Sequence, residues 1–404
     1  MRDLHQVLVF VTIAVAASSE VADCQSTSCV ADVPTATATD TIVSLPPPVP
    51  GVLQVYGLPV GQGDCTIIQC PNGNVIVFDC GSSSTAQGWG YVQVQNFLGN
   101  SINNVQIIML THGDSDHSNY LPLIPWNANI LQRIIIGGVV GDYSQRPIDV
   151  RGWLQGFQQR VHTVNNGQEC IGNCMVNGGT NFCGNVNIQF SILAANVGPS
   201  SNEKSIIMKV TYGAWSMLLP GDIEGRAATS IANTIGGQLQ STVYKMAHHG
   251  ASRLANLPTW LQQIRPAQSF ASNAYNFGSC RHPRCETITR LITLMTLATA
   301  GAHQLDCGNS APNPPTVLNP FCHFIYATAP TATDICVIEI SSAGTGTMVP
   351  NCMPAADITT GLSEDDIIDD DDRIDTVDNG GAVGIEATFY AVLFSLVVSF
   401  SYYD

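Results

Sequence analysis

The amino-acid sequence predicts a fold of the α+β class, which combines α-helices with β-strands. Apolar runs of strand length, such as residues 105–110, end in clusters of polar side chains. Residues 227–235 and 286–294 space their apolar groups as helices do, so we expect them to cover the outer faces of sheets. With 45% hydrophobic residues, the 404-residue chain can bury one large core. We therefore expect one large domain with appended ends.

The loop that follows residues 105–110 carries the strongest chemical signal. It contains His112, Asp114, Asp116 and His117 within six residues. A buried strand cannot satisfy charged groups within itself, so these side chains belong at its end, where a cation offsets the cost of desolvating them. Imidazole nitrogen suits zinc, and carboxylate oxygen suits harder ions such as manganese. The mixed set predicts zinc or manganese, with a chance polar turn as the alternative.

Two later segments repeat the pattern of an apolar strand that ends in ligand-type side chains. In residues 216–224 the strand is followed by a glycine and Asp222. In residues 241–252 the strand is followed by the adjacent pair His248 and His249. Three clusters of this kind in one chain argue against coincidence.

These motifs resemble those of a known enzyme superfamily. Together with the glycine-bearing residues 53–64 and 74–81 and the late residues 279–283, they follow the order of the metallo-β-lactamase superfamily. They are most similar to its ComEC-like branch, known from bacterial DNA-uptake proteins. The resemblance covers roughly residues 53–340. It implies a four-layer αββα sandwich of two facing sheets, with metal ions at one edge of the sheets.

The resemblance also implies a set of ligands for one or two divalent ions. These ligands are His112, Asp114, Asp116, His117, Asp222 and His248. The first two would bind one ion, the next two would bind a second ion, and the aspartate at position 222 would bridge them. Either His248 or His249 would complete the second site, and we favour His248 because it comes first after the strand.

Two departures from the superfamily pattern bear on this site. Asp114 stands where the superfamily usually has a second histidine, as in part of the ComEC-like branch, which makes the first site harder and less selective for zinc. The isolated middle histidine of the superfamily, a third ligand of the first ion, has no clear counterpart. His162 lies on an alternating surface strand, and we do not expect it to be that ligand.

Hydrolysis is the chemistry that such a metal set implies. A water shared between two cations loses its proton near neutral pH, which gives a hydroxide nucleophile. We expect Asp116 to orient that nucleophile, and His249 or His282 to polarise the substrate or protonate the leaving group. His282 fits equally well as a turn histidine before a proline that starts a helix. We expect Asp64 and Asp79 to brace the ligand loop through hydrogen bonds.

The charge of the chain restricts its substrates. The formal net charge is -16 with only 15 lysines and arginines, whereas strong nonspecific nucleic-acid binding draws on clustered basic residues and is therefore not expected. The resemblance implies phosphodiester substrates. The alternatives are hydrolysis of a small ester, lactone or lactam on the same fold, and a surface binding protein without turnover. The oligomeric state is not predicted.

The two ends of the chain predict export to the cell surface or beyond. The apolar run at residues 7–17 is too short to span a bilayer comfortably and ends in small residues, as a cleavable signal does, with a membrane anchor formed by this segment as the alternative. The apolar run at residues 389–400 follows small residues at Asn379, as a lipid-anchor signal does, with a membrane-spanning tail as the alternative. The expected segments are a signal peptide (1–17), a Thr/Ala/Pro-rich linker (18–51), a metallo-β-lactamase-like hydrolase domain (52–345), an acidic stalk (346–378) and a C-terminal anchor signal of the GPI type (379–404).

Cysteine usage agrees with passage through the secretory pathway. All 14 cysteines lie after the predicted signal peptide, and an oxidising compartment favours their pairing as disulfides. Structural zinc at Cys170, Cys174 and Cys183, or at Cys280 and Cys285, is the alternative.

Overall fold

Short strands and helices alternate along the chain. In chain order the strands are β1 (Val52–Gly57), β2 (Gln62–Gln69), β3 (Val75–Ser84), β4 (Val105–Leu110), β5 (Arg133–Ile136), β6 (Val161–Thr163), β7 (Cys170–Ile171), β8 (Ile188–Ala195), β9 (Ile207–Tyr212), β10 (Trp215–Leu219), β11 (Val243–Lys245), β12 (Gln268–Ala271), β13 (His303–Leu305), β14 (Val317–Asn319), β15 (Ile325–Ala327), β16 (Asp334–Ser341) and β17 (Asn351–Pro354). The helices are α1 (Tyr91–Leu98), α2 (Ser115–Ser118), α3 (Val150–Gly156), α4 (Gly225–Leu239), α5 (Pro258–Ile264) and α6 (Cys285–Leu294). The computed structural model describes residues 44–84, 88–172, 174, 182–185, 187–273, 282–294 and 307, together with the backbone of β13 to β17.

The predicted ends of the chain lie largely outside the described residues. The signal peptide, the anchor signal and most of the linker and stalk are not among them. Leu45, in the last part of the predicted linker, is buried, and its N–H donates to the carbonyl of Phe97. Strand β17 pairs with β16, so the sheet continues beyond residue 345, where we expected the domain to end. In the described part of the chain, no helix combines the length and the apolar character that a bilayer-spanning segment needs.

The first sheet brings the predicted ligand loop to one of its edges. Its described strands have the order β17-β16-β1-β2-β3-β4-β5-β6. Strands β3 to β6 run parallel, so the loop after β4 leaves the sheet at the carboxyl end of its neighbours. Within β4, Ile107 and Met109 face the second sheet, whereas Ile108 and Leu110 face the helices. Because both faces of β4 are buried from residue 107 onwards, residues 107–110 form a continuous apolar run.

The second sheet supplies the remaining ligand segments. Its described strands have the order β15-β12-β11-β10-β9-β8-β7. Strands β10, β11 and β12 run parallel. Their carboxyl ends therefore lie side by side, and they lead into the turns that carry Asp222, the His248–His249 pair and Ser272.

Three buried apolar clusters separate four layers of structure. The first lies between the first sheet and α1 and α3, and includes Phe97 and Leu154. The second lies between the two sheets and includes Phe78 and Met217. The third lies between the second sheet and α4 to α6. The predicted four-layer αββα sandwich of the α+β class is confirmed, and α4 and α6 contain the two predicted helices.

Disulfide bonds join eight of the described cysteines. The pairs are Cys65–Cys80, Cys70–Cys183, Cys170–Cys174 and Cys285–Cys307. The predicted preference for disulfides agrees with these pairs. The zinc alternative does not, because a sulfur atom in a disulfide is not a thiolate ligand. Cys280 lies outside the described residues.

Candidate metal centre

The predicted ligand residues meet at the edge where the two sheets face each other. They come from the loop after β4 and from the turns after β10 and β11. Their ligand atoms form two overlapping groups, and within each group the atoms lie within 4.8 Å of one another. One group contains His112, His117 and Asp222, and the other contains Asp116, His117 and His249. Segments far apart in the chain thus contribute to one site.

Short distances between carboxylate oxygens and imidazole nitrogens define the centre of this cluster. Oδ2 of Asp222 lies 3.2 Å from Nε2 of His117 and 3.2 Å from Nε2 of His249. Nε2 of His249 also lies 3.2 Å from Oδ2 of Asp116. The Asp222 carboxylate therefore sits between the two groups, which is the position that a bridging ligand requires.

Several buried ligand atoms have no hydrogen-bond partner among the described residues. They are Nε2 of His112, Nε2 of His117 and Oδ1 of Asp222. An unsatisfied buried polar atom costs about 1–3 kcal/mol, so a fold that keeps three of them together needs a compensating partner. A divalent cation satisfies all three, because imidazole nitrogen and carboxylate oxygen are its ordinary ligands. The donor set therefore fits a metal centre.

Two glycines allow the ligand loop to pack tightly against the hairpin of β2 and β3. The single-turn helix α2 carries Asp116 and His117. A Cβ atom on Gly81 would lie 2.6 Å from the carbonyl oxygen of Ser115, and a Cβ atom on Gly63 would lie 2.8 Å from that of Asp116. Both distances are shorter than a real Cβ atom tolerates. Only glycine at these positions lets α2 reach the site.

Asp79 fixes the start of the ligand loop through hydrogen bonds. Its carboxylate accepts hydrogen bonds from the N–H of Thr111 at 2.7 Å and from Oγ1 of Thr111 at 2.8 Å. The same carboxylate lies 2.9 Å from Nδ1 of His117. We assign the His117 proton to Nδ1, because this leaves Nε2 free for a metal. Asp79 has a φ of 53°, which is uncommon for a residue other than glycine.

Two buried serines support other ligands, and sequence analysis did not identify them. The carbonyl oxygen of Ser272 lies 2.7 Å from Nδ1 of His249. Oγ of Ser205 accepts a hydrogen bond from the N–H of Asp222 at 3.1 Å, and lies 3.4 Å from Nδ1 of His112. No local pattern marks these serines, because each contact forms only when strands distant in the sequence meet.

The adjacent histidines have different surroundings. Both have positive φ angles, 48° for His248 and 51° for His249. His249 is buried with Nε2 near Asp116 and Asp222. His248 is 27% exposed, its Nδ1 lies 2.9 Å from Oε2 of Glu224, and its Nε2 lies 3.9 Å from Oδ2 of Asp222. The geometry favours His249 as the ligand, which reverses our preference from the sequence, and the choice stays a prediction.

Three further predicted or considered residues lie outside the two ligand groups. The Asp114 side chain is 42% exposed, with Oδ2 lying 3.3 Å from Nε2 of His112. The ring of His282 is buried and lies 5.7 Å from the His248 ring. Burial and the neighbouring imidazoles lower the pKa of His282 well below its usual range, so this imidazole is neutral. His162 lies in β6 and belongs to neither ligand group.

The carboxylates of the cluster are ionised. Burial opposes ionisation of Asp222, but the imidazoles of His117 and His249 outweigh burial and hold the pKa of Asp222 well below its usual range. Burial also opposes ionisation of Asp116, whose pKa is nevertheless lowered by His117 and His249. Burial disfavours the imidazolium of His249, but Asp222 and Asp116 raise its pKa to about 10. A cation must therefore displace a proton from His249 when that imidazole becomes a ligand.

Comparisons with known proteins point to one fold family. A family model described as the metallo-beta-lactamase superfamily matches residues 58–125, which include the loop after β4. The chain is 24% identical over 252 residues to competence protein ComA of Neisseria gonorrhoeae, with 61% of this chain and 31% of that protein covered. It is 21% identical over 257 residues to ComE operon protein 3 of Bacillus subtilis, with 59% and 30% covered. The match thus spans less than a third of the length of these relatives.

Solved structures include similar chains as well. One is Igni18, a metallo hydrolase from Ignicoccus hospitalis, with 12% identity and a TM-score of 0.39, covering 66% of this chain and 98% of that one. The family model and these relatives together support the metallo-β-lactamase superfamily, and its ComEC-like branch, as the family that this chain resembles.

Proposed function

We propose that this protein is a metal-dependent hydrolase that cleaves phosphodiester bonds. The observation that carries the proposal is the buried cluster in which Asp116, His117, Asp222 and His249 converge. Imidazoles mixed with carboxylates suit zinc or manganese. When bound, one or two such ions would lower the pKa of water and stabilise the negative charge that develops on a phosphoryl group.

The exposure of one carboxylate, that of Asp114, distinguishes an outer ligand position from an inner one. The ligands of the inner position are all buried, and they are Asp116, His117, Asp222 and His249. The ligands of the outer position are His112 and Asp114, which share Asp222 with the inner position. Because Asp114 is half-exposed, we expect the outer position to bind its ion more weakly.

His248 is the residue we assign to the substrate. Its Nδ1 lies 2.9 Å from Glu224, and Asn202 donates a hydrogen bond to the other oxygen of that carboxylate at 3.2 Å. A carboxylate at Nδ1 fixes the ring and leaves Nε2 facing the ligand cluster. From there Nε2 can give a proton to a leaving oxygen of a bound substrate. The neutral ring of His282 lies beside His248 and can accept a hydrogen bond from a substrate.

The ComEC-like assignment favours phosphodiesters over other substrates, because that branch is known from DNA-uptake proteins. The similarity to a competence protein also supports a phosphodiester substrate. The net charge of -16 argues against a basic surface that holds long nucleic acids. We therefore propose that the substrate is held chiefly through its scissile phosphate at the metal centre.

A panel of chromogenic substrates tests this function. The protein, loaded with Zn²⁺ or Mn²⁺, is assayed with bis(p-nitrophenyl) phosphate, p-nitrophenyl acetate, a lactone and a chromogenic lactam. We expect phosphodiester cleavage that disappears with a chelator and in Asp116→Ala, with the circular-dichroism spectrum unchanged. Cleavage of only the ester, lactone or lactam would replace the phosphodiester assignment.

Separate replacements distinguish the roles of the two adjacent histidines. We expect His249→Ala to lose bound metal, because it removes a ligand. We expect His248→Ala to keep its metal and to lose kcat, because it removes a group that faces the substrate. Metal content is measured by inductively coupled plasma mass spectrometry. Metal loss in His248→Ala, with full metal in His249→Ala, would restore the preference that we took from the sequence.

A surface binding protein without turnover is the second candidate. It is favoured by one observation: the group that contains His112 is completed by His117 and Asp222, which are also assigned to the inner position, so the outer position has few ligands of its own among the described residues. One tightly held ion per chain and no cleavage of any panel substrate would favour this candidate over the hydrolase.

We also propose that the protein matures in an oxidising compartment. The support is the pairing of eight described cysteines as disulfides, which persist outside the reducing cytosol. Titration of free thiols in the denatured, unreduced protein tests this. Reactivity of all fourteen cysteines would contradict it.

A further inference from the structure

A fully buried lysine lies beside the metal centre. Lys245 is the last residue of β11, and its Nζ forms an ion pair with Oδ2 of Asp64 in β2. Neither side chain has any solvent exposure. Oγ1 of Thr66 donates a hydrogen bond to the other oxygen of Asp64 at 3.2 Å. The pair therefore joins the first sheet to the second by a contact that water cannot replace.

Stability alone gives little reason to bury this pair. The desolvation of two ions largely cancels their attraction, and an apolar pair of similar volume often serves a core equally well. Burial disfavours the ammonium group, but the Asp64 carboxylate outweighs it and raises the pKa of Lys245. Burial also raises the pKa of Asp64, and the Lys245 ammonium opposes that shift. Because both side chains are fully buried in one contact between the sheets, a role in arranging the neighbouring site becomes the better explanation.

The contacts around the pair form a closed ring through the metal centre. Gly63, the residue before Asp64, packs against the carbonyl of Asp116. Its own carbonyl accepts a hydrogen bond from Oγ of Ser272 at 2.8 Å. The carbonyl of Ser272 lies 2.7 Å from Nδ1 of His249, and Nε2 of His249 lies 3.2 Å from Asp116. Lys245 begins the segment that carries His249, and Asp64 follows Gly63 in the chain. The ion pair between Lys245 and Asp64 therefore fixes the His249 segment relative to the strand that packs against Asp116.

The pairing with Lys245 also limits the repulsion between Asp64 and the neighbouring carboxylate of Asp79. Ligand-type atoms of Asp64, Asp79 and His117 lie within 4.8 Å of one another. Two anions at that spacing repel each other, and an unpaired Asp64 would compete with Asp79 for His117. Because Lys245 neutralises Asp64, Asp79 remains the acceptor that orients His117.

We propose that the Asp64–Lys245 ion pair is a positioning device, which locks the segment carrying His249 to the strand that packs against Asp116 and so sets the spacing of these two ligands for one shared metal ion. The inference rests on the metal centre of the proposed function but not on hydrolysis. It makes Asp64 and Lys245 positioning residues, since neither touches the substrate.

Zn²⁺ affinity in charge-removal variants tests the proposal. The variants are Lys245→Met, the nearly isosteric Asp64→Asn, and the double variant Asp64→Leu/Lys245→Met. Lys209→Met is the matched control, because Lys209 lies on β9 of the same sheet and bonds only carbonyls near the end of α4. Zn²⁺ affinity is measured by competition with a chromogenic chelator, and folding is measured by thermal unfolding in the absence of metal.

We expect Zn²⁺ binding to weaken about 10–100-fold in the double variant while its metal-free unfolding temperature stays near that of the wild type. Lys209→Met should keep the wild-type affinity. If Lys245→Met does not fold, the double variant and Asp64→Asn carry the test. Wild-type affinity in whichever of these variants folds would overturn the inference. Absence of Zn²⁺ binding by the wild type would instead refute the metal centre of the proposed function.

Discussion

Replacing Asp79 with asparagine tests whether one carboxylate sets the protonation state of a metal ligand. In the wild type this carboxylate accepts two hydrogen bonds from Thr111 and contacts Nδ1 of His117. Asparagine has the same shape but only one acceptor oxygen. If that oxygen stays with the N–H of Thr111, the amide nitrogen faces His117 and donates to Nδ1. The His117 proton must then move to Nε2, which is the atom that would bind the metal.

We expect Asp79→Asn to lower both the affinity for metal and the free energy of unfolding. Removing a group that orients a ligand weakens metal binding about 10–100-fold, which corresponds to about 1.4–2.8 kcal/mol. Removing a charged acceptor lowers the free energy of unfolding of the metal-free protein by about 1.5–3 kcal/mol. Both values should lie in the upper part of their ranges, because Asp79 is fully buried and water cannot replace the lost acceptor.

The assay combines Zn²⁺ competition with denaturant unfolding in the presence of a chelator. Asp149→Asn is the control, because Asp149 caps α3 by accepting a hydrogen bond from the N–H of Gly152 at 2.7 Å, and asparagine caps helices about as well. The control should keep both its stability and its affinity. Wild-type Zn²⁺ affinity in Asp79→Asn would refute the protonation argument, even if the variant were less stable.

Three further predictions concern packing, covalent links and metal binding. Gly81→Ala should lower the free energy of unfolding by about 1–3 kcal/mol and reduce metal content, because the new Cβ would displace α2. The control Gly237→Ala places its Cβ in open space on α4 and should raise the free energy of unfolding by about 0.5–1 kcal/mol. Replacing both Cys70 and Cys183 with alanine should cost about 2–5 kcal/mol in denaturant unfolding, since their disulfide closes a loop with a sequence separation of 113, and an unchanged midpoint would contradict this. Zn²⁺ at 100 times its Kd should stabilise the metal-free protein by about 2.7 kcal/mol, and a Tm that does not depend on Zn²⁺ would exclude binding to the folded state.

Features that depend on local sequence were predictable. Strand β4 occupies the predicted residues 105–110, because a strand buried on both faces leaves a run of apolar residues, which here covers residues 107–110. Helices α4 and α6 contain the predicted segments, because an amphipathic helix repeats its apolar groups with a fixed period. The order of the strand-end motifs carried the resemblance to the superfamily, and that resemblance implied the four-layer fold.

Features that depend on contacts between distant strands were not predictable. Lys245 reads as an ordinary polar residue at a strand end, and its partner Asp64 lies on the other sheet. Ser272 supports His249 through a backbone carbonyl, which any residue type would offer. The choice between His248 and His249 depends on their burial and on their distances to Asp116 and Asp222, which the sequence pattern does not reveal. Positions of supporting groups therefore require the tertiary structure.

The disulfide between Cys70 and Cys183 affects how metal can be exchanged. It joins the far end of β2 in the first sheet to the segment that precedes β8 in the second. Asp64 lies near the opposite end of β2, about 20 Å away at the usual rise of a strand. The two sheets therefore stay covalently joined at the far end of β2 whether or not an ion is bound at the metal edge. We expect the metal-free protein to keep the two sheets paired, so that rebinding requires only the ligand side chains to close around the ion again.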